Sequence, residues 1–189
     1  KLIADVFGVI QVGADGSPLA QAITNPNAPA ADHYIWMGAG VGALIRPLGG
    51  WLADKWGGAW VTILDTFVMI LATVGAGYVV WLAGHSSTPE AYFTPFLLLF
   101  ILLFATTGVG NGSTFRMIPI IFSKEQAGPV LGWTSAIAAY GAYLIPRIFA
   151  DQIKEGTPEV ALYGIAGYYV TCLAVCWWFY GRKHAEIPC

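Results

Sequence analysis

Charged residues are scarce in this chain of 189 residues. Aspartate, glutamate, lysine and arginine make up only 11% of the sequence, whereas hydrophobic residues make up 57%. A soluble globule of this size needs more polar surface than this composition supplies, so we expect an integral membrane protein. The nine lysines and arginines are scattered and the formal net charge is −2, which excludes a basic face for nucleic acid.

Metal-binding and catalytic residue types are also few. The sequence has three cysteines and three histidines, and their spacing fits neither a metal site nor a haem site. Cys172 and Cys176 lie one helical turn apart in an apolar run, which is typical of packed thiols. No Ser/His/Asp arrangement falls at membrane depth. We therefore expect no catalytic residue, no metal, no cofactor and no enzyme activity.

Long apolar runs dominate what is present. A helical span needs ~20 apolar residues, and five runs reach that length: residues 34–53, 59–83, 92–122, 130–150 and 160–181. Residues 1–13 are apolar but too short, and they lack the basic start and cleavage site of a signal peptide. We expect them to be the end of a transmembrane helix whose beginning is missing, so the chain is expected to be a fragment.

The remaining segments predict a loop and a tail, and their charges predict the orientation. Residues 14–33 are rich in Pro, Asn, Gly and Ala and predict an extracytoplasmic loop, and residues 182–189 predict a tail. One side of the membrane would carry Lys55, Lys124, Arg182 and Lys183, and the other Lys1 and Lys154. The excess of positive charge predicts that the C-terminus is cytoplasmic.

Arg46 is the main candidate for a binding residue. It lies about twelve residues into the first span, close to the middle of a hydrocarbon layer about 30 Å thick. A guanidinium at that depth is costly and should face a cavity or partner helices. Its planar fork of donors suits a small planar oxyanion. The alternative is a structural pair with an acid. Asp54 is too distant along the same helix, and we expect Asp65 to stabilise the turn between the first two spans.

Two other spans carry polar residues beside glycines. Asn111, Ser113, Thr114 and Arg116 lie in the third span, where binding or gating at the inner mouth competes with a structural role. Ser135 and Thr134 lie in the fourth, where a hydroxyl either contacts an anion or bonds back to its own helix. Glycines at small-xxx-small spacing predict close helix approach in three spans: Gly38, Gly42, Gly49 and Gly50; Gly108 and Gly112; Gly128, Gly132 and Ala136.

Three segments together carry a family resemblance. GALIRPLGGWLADKWGGAWVT, GVGNGSTFRMIPIIF and LGWTSAIAAYGAYLIPRIF, in this order and spacing, resemble the C-terminal half of the nitrate/nitrite porter (NarK-like) family. The first contains a loop signature similar to that of the major facilitator superfamily. The resemblance implies an all-α membrane protein that forms the C-terminal six-helix bundle of such a transporter, with its first helix truncated and the five spans as helices eight to twelve.

The resemblance also implies roles for individual residues. Arg46 would be the second-half member of a pair of substrate arginines, Ser135 the polar position of a nitrate-signature segment, and Gly132 and Ala136 two of its small positions. Asn111 joins these as a candidate for substrate binding. The candidate gating and loop residues are Gly49, Gly50, Asp54, Lys55, Gly57, Gly58, Asp65 and Arg116.

The expected function is transport of nitrate or nitrite by alternating access in the plasma membrane. The expected partners are the anion, membrane lipid and the missing N-terminal half. Because no acidic residue is predicted at the midplane of these spans, nitrate/nitrite exchange is at least as natural as proton-coupled uptake. Two alternatives stay open: a major facilitator carrier of another small solute, and a non-transporting membrane subunit.

Overall fold

The computed structural model describes residues 2–13 and 15–182 and consists mainly of α-helices. Over these described ranges, a short helix and a hairpin come first, and five long helices follow. The elements are α1 (Leu2–Phe7), β1 (Val9–Val12), β2 (Pro18–Thr24), α2 (Asp32–Trp56), α3 (Gly58–Gly84), α4 (Phe93–Ile121), α5 (Lys124–Lys154) and α6 (Pro158–Cys176), with a 3₁₀ turn at Pro89–Tyr92 and a π-helical turn at Trp177–Gly181. Apart from Arg182, the predicted tail lies outside the described residues.

Within the described residues, three helical segments are long and apolar enough to cross a membrane: Gly58–Gly84, Pro89–Ile121 and Pro158–Gly181. α2 and α5 have sufficient length, with 25 and 31 residues. Both are less apolar, because glycines, prolines and charged residues interrupt them. The expectation of a helical membrane protein is thus confirmed in outline, with the hairpin as an exception. The crossing of the membrane by α2 and α5 stays a prediction.

The start of the chain differs from the prediction. The expected helix end over residues 1–13 is helical only to Phe7, and the expected loop over residues 14–33 contains β2. β1 and β2 pair antiparallel. Gly16 in the connecting turn has a φ of +79°, which glycine adopts without steric cost. The Asp15-Gly16 pair, which follows the β-branched residues of β1, is a hairpin signal, and it outweighs the apolar run that precedes it.

Ser17 holds the hairpin turn in place. Its backbone amide and its hydroxyl donate hydrogen bonds to Oδ1 of Asp15, at 3.1 and 2.7 Å. These two bonds stabilise the carboxylate and lower the pKa of Asp15 below its ordinary value. The Gly13 amide closes the turn by donating to the Ser17 carbonyl at 2.8 Å.

α2 and α4 meet through glycines, as their small-residue spacing predicts. A Cβ atom on Gly108 would lie 2.5 Å from the carbonyl oxygen of Gly42, and one on Gly112 would overlap the carbonyl oxygen of Arg46. Gly49 is likewise too close to the α4 backbone to carry a side chain. Backbone contact therefore replaces side-chain packing between these two helices.

α3 lies between α4 and α6 and packs against both. Its C-terminal half contributes Ala76 and Val80 to a buried cluster that also contains Phe7, Phe96 and Leu162. The rings of Phe7 and Phe96 have centroids 5.2 Å apart, and both side chains are fully buried. This cluster ties α1 to one end of the helix bundle.

α5 lies at the edge of the bundle. None of the residues described in α5 is buried, although the helix contacts α4 and α6. Trp133 and Tyr140 are each 69% exposed. The predicted close approach of Gly128 and Gly132 to a neighbouring helix is wrong for the described residues, because a Cβ on either would meet open space. An extended apolar surface of α5 is therefore uncovered in this chain.

The glycine contact predicts the effect of a single added methyl group. Gly108→Ala should destabilise the bundle by about 1–3 kcal/mol, because the Gly42 backbone has no rotamer with which to move away. Gly164→Ala in α6 is the matched control, since its Cβ would meet open space and alanine favours a helix. Thermal unfolding in detergent measures both. A Gly108→Ala protein as stable as the control would contradict the contact.

Candidate functional site

Arg46 lies just past the middle of α2, and its side chain is exposed. Within residues 2–13 and 15–182, the guanidinium makes no hydrogen bond and no salt bridge. Neither carboxylate considered as a structural partner pairs with it, because Asp54 binds Arg116 and Asp65 lies against α4. The five donors of the Arg46 guanidinium are therefore available to a ligand or to another polypeptide segment.

The backbone of Arg46 is held where α2 and α4 are in contact. Its carbonyl oxygen lies against Gly112, and a Cβ on Gly112 would also come within 2.9 Å of the Gly50 amide nitrogen. This contact fixes the position of Arg46 along α4 while its side chain stays free.

Asn111 directly precedes Gly112 on α4 and is half-buried. Its side-chain amide has no hydrogen-bond partner among the described groups. The amide offers both donors and an acceptor one residue from the α2 contact. The structure thus brings Asn111 and Arg46 to the same level of the α2–α4 pair.

The α5 candidates lie on a different helix. Gly132, Ser135 and Ala136 are all exposed. The hydroxyl of Thr134 donates to the Val130 carbonyl at 2.8 Å, which is the local bond expected for such residues. Across the described part of the chain, the Ser135 hydroxyl has no such bond. Both α2 and α5 contact α4, so Arg46 and Ser135 stand on two helices that share this neighbour.

The loop motif forms a charged contact at one end of the bundle. Nε of Arg116 on α4 donates to Oδ1 of Asp54 on α2 at 2.5 Å. Lys55 lies over the Trp51 ring, with its Nζ 4.1 Å from the centroid. Gly57, between α2 and α3, has a φ of +86°, a conformation that L side chains rarely adopt. These residues join α2 to α3 and link both to the end of α4.

Gly58 and Asp65 both pack against α4. A Cβ on Gly58 would overlap the Met117 side chain, so the start of α3 sits directly on α4. The structure places Asp65 away from the turn that it was expected to stabilise. Only 8% of Asp65 is exposed, and a Cβ on Gly110 would lie 2.7 Å from its Oδ2.

The structure contains a hydrogen-bonded pair of hydroxyls, on Thr62 and Ser113, that was not predicted from the sequence. Thr62 Oγ1 and Ser113 Oγ are 2.9 Å apart, and Ser113 also donates to the Gly110 carbonyl at 3.1 Å. Thr62, Asp65 and Thr66 recur at helical spacing in α3, which places them on one face of that helix. That polar periodicity inside an apolar span is the signal that indicates the pair.

The exposed Asp54–Arg116 pair predicts weak, salt-dependent coupling. Asp54→Asn and Arg116→Gln should each lower the thermal midpoint slightly at low salt, and the double variant should lose little more than the larger single loss. High salt should reduce the coupling because it screens exposed charges. Asp151→Asn and Lys154→Gln, which break the other exposed pair, provide the control. Strictly additive losses at low salt would contradict an Asp54–Arg116 interaction.

Comparisons with known proteins add a family relationship. No family model matches the chain. It is 36% identical over 163 residues, covering 86% of the chain, to the probable nitrate/nitrite antiporter NarK2 of Thermus thermophilus. It is 34% identical over 173 residues, covering 80% of the chain, to the nitrate/nitrite transporter NarU of Salmonella typhimurium. The nitrite extrusion protein of Bacillus subtilis is 29% identical over 147 residues, covering 77% of the chain.

The matched region is a part of each relative. The chain spans about a third of the length of these proteins: 36% of NarK2, 36% of NarU and 34% of the nitrite extrusion protein. The relatives are named as transporters, and the apolar helices of this chain fit a membrane protein. By this similarity the chain belongs to the nitrate/nitrite porter (NarK-like) family.

Proposed function

We propose that the protein containing this chain transports nitrate, nitrite or both across the plasma membrane by alternating access. The observation that carries the proposal is Arg46, a permanently charged fork of donors with no partner among the described residues. It sits in a helix that is otherwise apolar at this level. A guanidinium in such a place is costly unless an anion or water compensates it. Nitrate and nitrite are planar oxyanions that accept two parallel hydrogen bonds.

The remaining binding roles follow from the residues near Arg46 and on α5. Asn111 would donate to the anion from α4, at the level of Arg46, and Ser135 would donate from α5. Gly132 and Ala136 would leave room for the anion beside Ser135, because neither has a bulky side chain. The free polar groups of Asn111 and Ser135 support this assignment.

The loop motif is proposed to control opening at one end of the carrier. The Asp54–Arg116 bond joins α2 to α4, and breaking it would release one helix end from the other. Gly49, Gly50, Gly57 and Gly58 allow the close contacts and the turn on which this joint depends. Lys55, held over Trp51, would anchor the same end at the membrane surface.

The chain is proposed to be the C-terminal bundle of a twelve-helix major facilitator carrier, with α2 to α6 as five of its spans. The uncovered surface of α5 and the free Arg46 side chain would then face the N-terminal half. The C-terminus and the Lys55 end would lie in the cytoplasm. The test is the gene sequence upstream of this chain. A reading frame that continues through about six further apolar spans would support this arrangement, and an upstream stop codon would contradict it.

Replacing Arg46 by lysine keeps the charge and removes the fork. In the full-length protein, Arg46→Lys should weaken nitrate binding at least about tenfold, or about 1.4 kcal/mol, because one ammonium does not reproduce two parallel bonds. Arg147→Lys is the matched control, since Arg147 bonds to the Tyr143 hydroxyl on α5. Isothermal titration with nitrate measures both proteins. Unchanged affinity in Arg46→Lys would refute the role.

The α5 contact has its own test. Ser135→Ala should raise the nitrate dissociation constant by about five- to tenfold, because one neutral donor contributes about 1 kcal/mol or slightly more. Thr134→Val provides a neighbouring control that removes a hydroxyl already bonded within the helix. Nitrate uptake and binding in reconstituted vesicles measure both. Equal losses in the two variants would indicate a structural effect of α5 alone.

A further inference from the structure

Asp65 is an acidic side chain buried inside a segment long and apolar enough to cross a membrane. Only 8% of the residue is exposed, and its Oδ2 is buried with no hydrogen-bond partner in the described structure. The Gly110 backbone closes that side of the carboxyl group so tightly that a Cβ would lie 2.7 Å from Oδ2. Burying an uncompensated carboxylate is far more costly than burying the neutral acid.

No cation compensates Asp65 in the described ranges. On α4 it faces the backbone of Gly110, and Arg116, farther along that helix, is bonded to Asp54. On α6 the titratable neighbours are Tyr169 and, close to it, Tyr168 and Cys172, none of which is a cation. Its own helix places the hydroxyls of Thr62 and Thr66 nearby, and Thr66 donates to the Thr62 carbonyl. No group named here neutralises a charge on Asp65.

A proton is the occupant that this space admits. Two cavities of the described residues lie at the other end of α3, around Trp81 and His85, and not beside Asp65. The neighbouring hydroxyls already have hydrogen-bond partners. A metal ion needs several free oxygen ligands and a cavity, whereas a proton needs one lone pair.

Asp65 lies at nearly the same depth as Arg46, on the opposite side of α4. Gly110 packs against Asp65 and Gly112 against the Arg46 carbonyl. Residues two positions apart in an α-helix, such as Gly110 and Gly112, are about 3 Å apart along its axis. They point in directions about 200° apart around it. The two contacts are therefore about half a turn of α4 apart, and this helix stands between the buried acid and the backbone of Arg46. This placement corrects the expectation that no acidic residue of these spans lies at that depth.

We propose that Asp65 is a proton-binding site that couples proton movement to anion transport. A proton from water adds to one carboxylate oxygen, gives the neutral acid, and leaves to water on the other side of the membrane, with no other reactant. Thr62 and Ser113 extend from Asp65 toward the Arg116 end of α4 and provide a polar route. The coupling rests on the proposed transport function, whereas the protonated state of Asp65 does not.

Transport into vesicles tests the coupling. The full-length protein is reconstituted with the membrane potential clamped, and nitrate uptake is followed with an inward pH gradient of about one unit. If one proton accompanies one nitrate, the gradient is worth about 1.4 kcal/mol and concentrates nitrate up to about tenfold. Asp65→Asn should still exchange internal for external nitrate but should show no accumulation. Asp32→Asn, which neutralises an exposed acid at the start of α2, should accumulate nitrate like the wild type.

Infrared spectroscopy tests the protonation independently of transport. Wild-type protein in membranes at neutral pH should show the carbonyl stretch of a protonated carboxyl that Asp65→Asn lacks and Asp32→Asn retains. Absence of this band in the wild type overturns the proton site, even if Asp65→Asn does not fold. Accumulation by Asp65→Asn, or wild-type exchange with no response to the pH gradient, overturns the coupling. Failure of the wild type to move nitrate at all refutes the proposed function and with it the coupling, and the band alone then decides whether Asp65 holds a proton.

Discussion

The backbone contact between α2 and α4 determines the positions of the groups discussed above. Glycines on both helices allow the two backbones to touch, so Arg46 is fixed against Gly112 while its side chain points away from the contact. The same packing brings the end of α2 to Arg116. A side chain at Gly108 or Gly112 would force the helices apart. The register of one helix on the other thus depends on the absence of side chains.

Charges within the bundle fall into three distinct environments. Arg116 and Asp54 compensate each other at an exposed end, where water also contributes. Arg46 is exposed and has no partner within the described residues, and Asp65 is buried with one oxygen unpaired. A low-dielectric surrounding makes each unpaired charge expensive. Arg46 and Asp65 lie on opposite sides of α4. The free-energy cost of each unpaired charge falls if an ion from solution neutralises it.

The sequence predicts the helices better than it predicts their neighbours. Apolar runs locate the five long helices, and glycine spacing predicts the α2–α4 contact, because both signals are local. The hairpin differs from its prediction because a short apolar run is ambiguous without its Asp15-Gly16 turn. The place of Asp65 depends on which face of α3 meets α4, and a single helix does not encode that. Arg46 was recognisable because a charge in an apolar run has few explanations. Its approach to Gly112 required the fold.

The absence of buried residues in α5 has an evolutionary consequence. Mutations in a tightly packed helix usually reduce folding stability, so few of them survive selection. Substitutions in α5 have little effect on the folding stability of this bundle, because its side chains are not buried. Substitutions of the glycines between α2 and α4 reduce that stability, because there is no room for a side chain. Within this bundle, substitutions along α5 therefore cost less folding stability than substitutions at the glycines between α2 and α4.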